Sequence, residues 1–174
     1  AFKQRPERCT VLGVTFCLSP GGPPALRYPE LVQAMEGAEP TLERVRETVV
    51  ALRRKKSMVI DPADPNRRSA GSFFTNPLVE PALAAQIIAS SPTDVPHWPT
   101  PDGRIKLAAG WLIERAGMKK GTRRGNVGVS SAHALALVHH GGGTTRELLA
   151  LAEEVQRAVH DRLGVTLVRE PVLW

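Results

Sequence analysis

From residue 9 to residue 18 the chain alternates, with Leu12, Val14, Phe16 and Leu18 on one face and small or β-branched residues on the other, the period of a strand. The run SPGGPP breaks it, and Pro29 at the head of PELVQAM sets up a short helix. From Pro40 and Thr41 the period lengthens. Leu42, Val45, Val49 and Leu52 recur at helical spacing, and basic residues gather in the last turn, where the macrodipole favours them. The next stretch, SMVIDPADPNRRSAGSFFTNP, carries too many prolines and asparagines for a long helix and predicts a loop with a brief extended segment at its FF pair. EPALAAQIIASS predicts a helix and SPTDVPHWPTPDG a proline-stiffened connection. KLAAGWLIERAG predicts a helix with Leu107, Trp111 and Leu112 inward and Gly117 as its stop.

GNVGVSS and ALALVHH predict a strand pair or a strand entered through a bulge, closed by the turn GGGT. Thr144 and Glu147 then form a capping-box pattern ahead of the longest helix, in which Leu148, Leu151, Val155, Val159 and Leu163 repeat until Gly164. VTLVREPVLW predicts a closing strand with Pro171 near its end. Strands and helices are mixed without regular alternation and without an internal repeat, so the predicted fold class is α+β, not a doubly wound sheet.

Composition narrows the function classes. A length of 174 residues allows one domain, or one domain and part of another, and 42% hydrophobic with 23% charged residues excludes a chain disordered throughout. No run of about eighteen uncharged apolar residues exists, and Lys3, Arg5, Glu7 and Arg8 do not lead into a secretory core, so a cytoplasmic location and no membrane partner are expected. The formal charge of +6 points to an anionic partner: phosphate, nucleic acid or carboxylate. Aromatic residues at 5% are thin for a protein that stacks exposed bases, and the basic residues come in small groups, which argues against nucleic acid. Cys9 and Cys17 lie eight positions apart on one predicted strand. At strand rise that is roughly 26 Å, too far for a disulfide. Two half-buried thiols are expected, with no metal or redox role.

Gly-rich dinucleotide, phosphate-loop, HExxH and CxxC signatures are absent, so candidate chemistry rests on the loops. In SAGSFFTNP, Gly71 lets the backbone approach a ligand, Ser72 offers a proton and Asn76 offers both donor and acceptor. Set against that is a capped turn with Phe73 and Phe74 in the core, the reading composition alone favours. Trp98, Lys106 and His133, with Arg104, Arg123 and Arg124 near them in sequence, have the cations, ring and imidazole to clamp a nucleotide diphosphate. Singly, each also reads as a packed tryptophan, a solvated lysine and a satisfied turn histidine. Glu170 is either a catalytic carboxylate held by Pro171 or an exposed strand glutamate. His139 and His140 point to opposite faces of a strand, so no metal is assigned to them.

NRRSAGSFFTNP (66–77), DGRIKLAAGWLIERAG (102–117), NVGVSSAHALALVHHGGGT (126–144) and a final REP occur in the order and spacing of the UDP-N-acetylenolpyruvoylglucosamine reductase family, which the chain resembles over nearly its whole length. The resemblance implies a two-stage reduction in peptidoglycan precursor synthesis. NADPH reduces FAD, and the flavin passes hydride to UDP-N-acetylglucosamine enolpyruvate, giving UDP-N-acetylmuramate. Ser72 matches the serine that protonates the substrate carbon, and Glu170 the acid that stabilises the enol-like intermediate. Asn76, Lys106 and His133 match positions that contact the UDP-sugar, and Trp98 an aromatic of the substrate loop. In RRKKSM the register is open between Lys56 and Met58, and neither receives a role.

The family's flavin loops do not precede Ala1 in this sequence. The resemblance therefore implies a C-terminal portion: residues 1–61 a flavin-domain strand and connecting helices, 62–164 the substrate-binding domain with a small antiparallel sheet and packed helices, and 165–174 a return strand to an incomplete flavin domain. Alone, such a chain is expected to be inactive, not to retain FAD, and to need a flavin domain from the same or a separate chain. The alternatives are a non-catalytic UDP-sugar-binding module and a basic nucleic-acid-binding domain.

Overall fold

The computed structural model describes residues 10–173. The chain divides into two compact units at Val49/Val50. In the first, Pro29 opens α1 (Pro29–Ala34), whose Leu31 is buried along with the following Met35. The Thr48 hydroxyl donates to Met35 Sδ at 3.1 Å. Helix α2 (Leu42–Lys55) runs from this unit into the next, with Arg53, Arg54 and Lys55 in its last turn, as its sequence predicts.

Residues 10–19 take no regular secondary structure, where a strand was expected. Leu12 is 94% and Phe16 78% exposed. A strand needs a neighbour to receive its backbone groups and cover its apolar face, and alternation alone supplies neither. Cys17 is exposed, not half-buried, and Cys9 lies outside the described residues.

The second unit carries two antiparallel sheets. The larger is ordered β1 (Ser69–Ser72), β7 (Ala136–His139), β6 (Val127–Val129), β5 (Arg123–Arg124). The expected pair β6–β7 has the register Val127↔His139 to Val129↔Leu137. The smaller sheet is ordered β2 (Leu78–Val79), β4 (Ile105–Leu107), β3 (His97–Pro99). Two of its strands lie where a loop and a helix start were expected. Pro99 is tolerated because β3 is an edge strand, where its missing N–H faces no partner. Helix α4 (Ala109–Arg115) accordingly begins after Leu107, which is fully buried in β4 instead.

Helix α3 (Pro81–Ala89) buries Ala84 and Ile87. Helix α5 (Thr145–Leu163) packs Leu151, Ala152, Val155 and Val159 into the same core as Leu112, Ile113 and Leu137. Both halves of its capping box form, and Gly164 closes it in the left-handed conformation at φ 68°, donating to the His160 carbonyl. The closing segment is not the strand its sequence suggests. Among the described residues it makes one bridge, Phe74↔Arg169, while Val165 and Leu167 bury into the core and Gln156 Nε2 donates to the Leu167 carbonyl at 2.7 Å. Gly164 ends the helix only one residue before Val165, so the tail is pinned to the face of α5, and Trp174 lies outside the described residues.

Gly128 sits where β6 meets the Thr122 carbonyl. A Cβ there would lie 2.7 Å from that oxygen, which already accepts from Val129 N–H. Gly128→Ala is expected to cost about 1–3 kcal/mol, and Thr144→Ala about 1 kcal/mol through loss of the cap. Urea unfolding of the two variants checks both, and equal midpoints for wild type and Gly128→Ala would contradict the close approach.

Candidate functional site

The segment from Ser72 to Asn76 links everything that follows. Gly71, at φ 75°, turns the backbone at the end of β1, and Ser72 pairs with Ala136 of β7. The backbone of the next residue is shared between two partners. Phe73 N–H donates to the Leu135 carbonyl at 2.8 Å, and Phe73 C=O accepts from Glu170 N–H at 3.0 Å. Two residues on, Thr75 N–H donates to the Val168 carbonyl at 3.0 Å. Ser72 and Glu170, from opposite ends of the unit, therefore sit one residue and one hydrogen bond apart along the backbone. Ser72 is half-buried and Glu170 exposed. The Phe73 and Phe74 rings, 5.5 Å apart in an edge-on pair, are both core residues, as the packing interpretation of this motif expects.

Asn76 has a structural partner that the sequence does not reveal. Its Oδ1 accepts from Ala109 N–H at 2.9 Å, the first helical residue of α4, which has no side-chain cap of its own. Since a backbone N–H can only donate, this contact fixes which end of the amide is oxygen. Lys106 belongs to the strand between Leu78 and Trp98, each its direct partner. Antiparallel partners share a face. Lys106 is thus flanked by an aliphatic and an aromatic side chain that are 40% and 48% exposed, while the neighbouring Val79 and Leu107 are buried on the other face. Leu107 N–H donates to the Pro77 carbonyl, so Asn76, Lys106 and Trp98 are brought together at the α4 end of the small sheet.

His133 lies in the β6–β7 loop, three residues before the Ala136 that pairs with Ser72. The buried Ser130 hydroxyl accepts from the Ala132 and His133 N–H groups and shapes this turn. His133 Nδ1 is buried and, among the described residues, has no hydrogen-bond partner. Burial holds the imidazole pKa below its ordinary value of 6.5, and the charges of Lys56 and Lys120 push the same way against Glu114. Met58, the other half of the open register, lines a cavity of about 300 Å³ with Arg53, Arg67, Ser69 and Gly71.

Three arginines do not join this group. Arg104 is held by Asp102 at 2.6 Å within the β3–β4 turn, where the Thr100 hydroxyl, followed by Arg104, brings the Asp102 pKa down to about 2. Arg124 pairs with Glu154 at 2.6 Å, and Arg123 Nε donates to the Gly125 carbonyl. Both lie on β5, three strand spacings from β1, about 14 Å. Closeness in sequence to Trp98 and His133 misled because hairpins carry successive residues to opposite edges. His139 Nε2 is 2.8 Å from the Gly143 carbonyl, inside the glycine turn.

Asn66 and Lys120 are the residues the sequence did not single out. Asn66 reads as one more loop asparagine, and only its burial sets it apart.

Asn76→Ala is expected to destabilise the chain by about 1 kcal/mol through the uncapped α4, with Asn76→Asp restoring stability by keeping the acceptor; thermal unfolding of the two reads this out. A second expectation concerns acid. A histidine whose pKa is depressed on folding takes up a proton more readily when unfolded, so its contribution is complete above 6.5 and is lost as pH falls below that value. His140, lowered first by burial and then by Arg123 and His139, acts in the same direction. His133→Gln should flatten the loss of stability on acidification, measured by urea unfolding across that range. An unchanged slope would refute the assignment.

Residues 62–174 match the family model described as UDP-N-acetylenolpyruvoylglucosamine reductase, C-terminal domain. Proteins named UDP-N-acetylenolpyruvoylglucosamine reductase are similar to the chain. That of Thermobifida fusca is 48% identical over 85% of this chain and 44% of its own length. That of Mycobacterium tuberculosis H37Ra is 47% identical over 94% and 47%, and that of Streptomyces coelicolor 44% identical over 98% and 48%. The chain spans about half the length of these relatives. It belongs to the UDP-N-acetylenolpyruvoylglucosamine reductase family, whose C-terminal domain it contains.

Proposed function

We propose that this chain supplies the substrate-holding and protonating part of a UDP-N-acetylenolpyruvoylglucosamine reductase, acting on UDP-N-acetylglucosamine enolpyruvate in the cytoplasm, with FAD and NADPH as cofactors of the whole enzyme. The observation that supports the reading is the pair of Phe73 backbone hydrogen bonds, which joins the segment that carries Ser72 to the segment that carries Glu170. The Ser72 hydroxyl gives its proton to the carbon on which negative charge builds, and Glu170 shares a proton with the adjacent carboxylate as it becomes enolic. Lys106 meets the diphosphate as a point charge, with Leu78 and Trp98 as apolar walls to its left and right. Asn76 and His133 add polar contacts to the nucleotide sugar.

The described residues do not fit the flavin. Its pyrophosphate calls for free N–H groups at a helix start after a glycine-rich turn. The turn 141–143 leads into such a start, but there the Glu147 carboxylate takes the Thr144 N–H at 2.7 Å. The start of α4 is taken by Asn76. The cavities beside Gly71 and beside His97 are about 300 and 320 Å³, and neither is lined by a phenylalanine, tyrosine or tryptophan against which a flavin ring would stack. Flavin chemistry is accordingly assigned to residues beyond those described.

Calorimetry on the 174-residue chain is expected to give one site for UDP-N-acetylglucosamine enolpyruvate. Lys106→Ala should weaken it about 10- to 100-fold, the range for a hydrogen bond to a charged group. Ser72→Ala should leave the affinity within about twofold but lower turnover by about 10²- to 10⁴-fold in the complete reductase, the usual contribution of a general acid. Full turnover by Ser72→Ala would sink the catalytic reading and leave a UDP-sugar-binding module. Affinity for generic DNA falling steeply with salt would favour a nucleic-acid-binding domain. FAD bound stoichiometrically by this chain would contradict the division of labour.

A further inference from the structure

Asn66 is a polar side chain left only 6% exposed in a loop whose neighbours are mostly solvated. Burial of an amide is tolerated only when its groups are bonded, and here they are. Oδ1 accepts from Ser131 N–H at 3.1 Å, and Nδ2 lies 3.0 Å from Ser131 Oγ, 3.2 Å from Ser57 Oγ and 3.3 Å from Asp64 Oδ1. The side chain thus ties the loop after α2 to the β6–β7 loop. Each tied residue stands close to a charged or titratable group: Ser57 follows Lys56, and Ser131 comes two residues before His133. Ser57 is also held at φ 56°, the one non-glycine residue in the left-handed region among those described. Backbone in that region persists only where its surroundings enforce it.

We propose that Asn66 is a positioning residue that locks the two loops together and thereby holds the loop carrying His133 against the loop carrying Lys56 at the anion-binding side of the site. This rests on the substrate role given to His133 above. The groups that bear on the ring are Lys56, Lys120 and Glu114, and the depressed imidazole pKa agrees with a loop held closed around it. Freed from Asn66, the loop lets water reach Nδ1, and the ring titrates as an ordinary histidine.

The test is NMR titration of the His133 ring together with calorimetry against UDP-N-acetylglucosamine enolpyruvate, on the full chain. Asn66→Ala is expected to raise the His133 midpoint toward 6.5 and to weaken binding about tenfold, the equivalent of one strong hydrogen bond. Thr144→Ala, which lowers stability through the cap of α5 and touches none of the groups bonded to Asn66, should change neither. Ser57→Gly keeps the left-handed backbone but removes one arm of the tie, and should shift the midpoint part of the way. It decides alone if Asn66→Ala does not fold. A midpoint unmoved in the folded variants overturns the positioning role whatever the affinity does. A midpoint that moves with affinity unchanged supports the tie and overturns the substrate role of His133.

Discussion

The arrangement depends on the backbone of a single residue. Phe73 gives its N–H to the strand side of the large sheet and its C=O to the closing segment. Two such bonds are worth only about 0.5–1.5 kcal/mol each, whereas full burial of a phenylalanine side chain contributes about 1.5–3 kcal/mol. The rings of Phe73 and Phe74, both buried, therefore supply most of the holding energy, and the hydrogen bonds select the register. Removing either ring would loosen the contact that brings the two termini of the unit together, so packing and site geometry are not separable here.

Legibility in the sequence followed the number of turns or rungs an element contains. Helix α5, with nineteen residues, a complete capping box and a left-handed glycine, repeats its signal often enough to be read unaided. Strands β3 and β5, of three and two residues, repeat it once or not at all, and Pro99 and the arginine pair of β5 argued against strands. Residues 10–18 show the opposite failure. Their alternation is clear, but their pairing depends on a neighbour that local pattern does not contain.

The same division runs through the site. Ser72 and Asn76 could be singled out because Gly71, a hydroxyl and an amide fall within one short loop. That Asn76 would spend its oxygen on α4, or that Asn66 would be buried against Ser131, depends on contacts 33 and 65 residues away in sequence. Charge was legible only as a sum. The chain carries +6, but Arg104 and Arg124 are engaged with acidic partners, Arg123 with a backbone carbonyl, and Lys106, set between two apolar neighbours, is the cation left in position beside Asn76.

The cap on α4 also imposes a polarity on recognition. With its oxygen turned to the helix, the Asn76 amide is fixed in orientation, its NH₂ offering two donors and its oxygen one remaining lone pair. The NH₂ side suits a carbonyl, a hydroxyl lone pair or a phosphate oxygen. A residue type that can usually flip to suit its surroundings is, by this one tether, held in a single orientation with its donor side turned away from the helix.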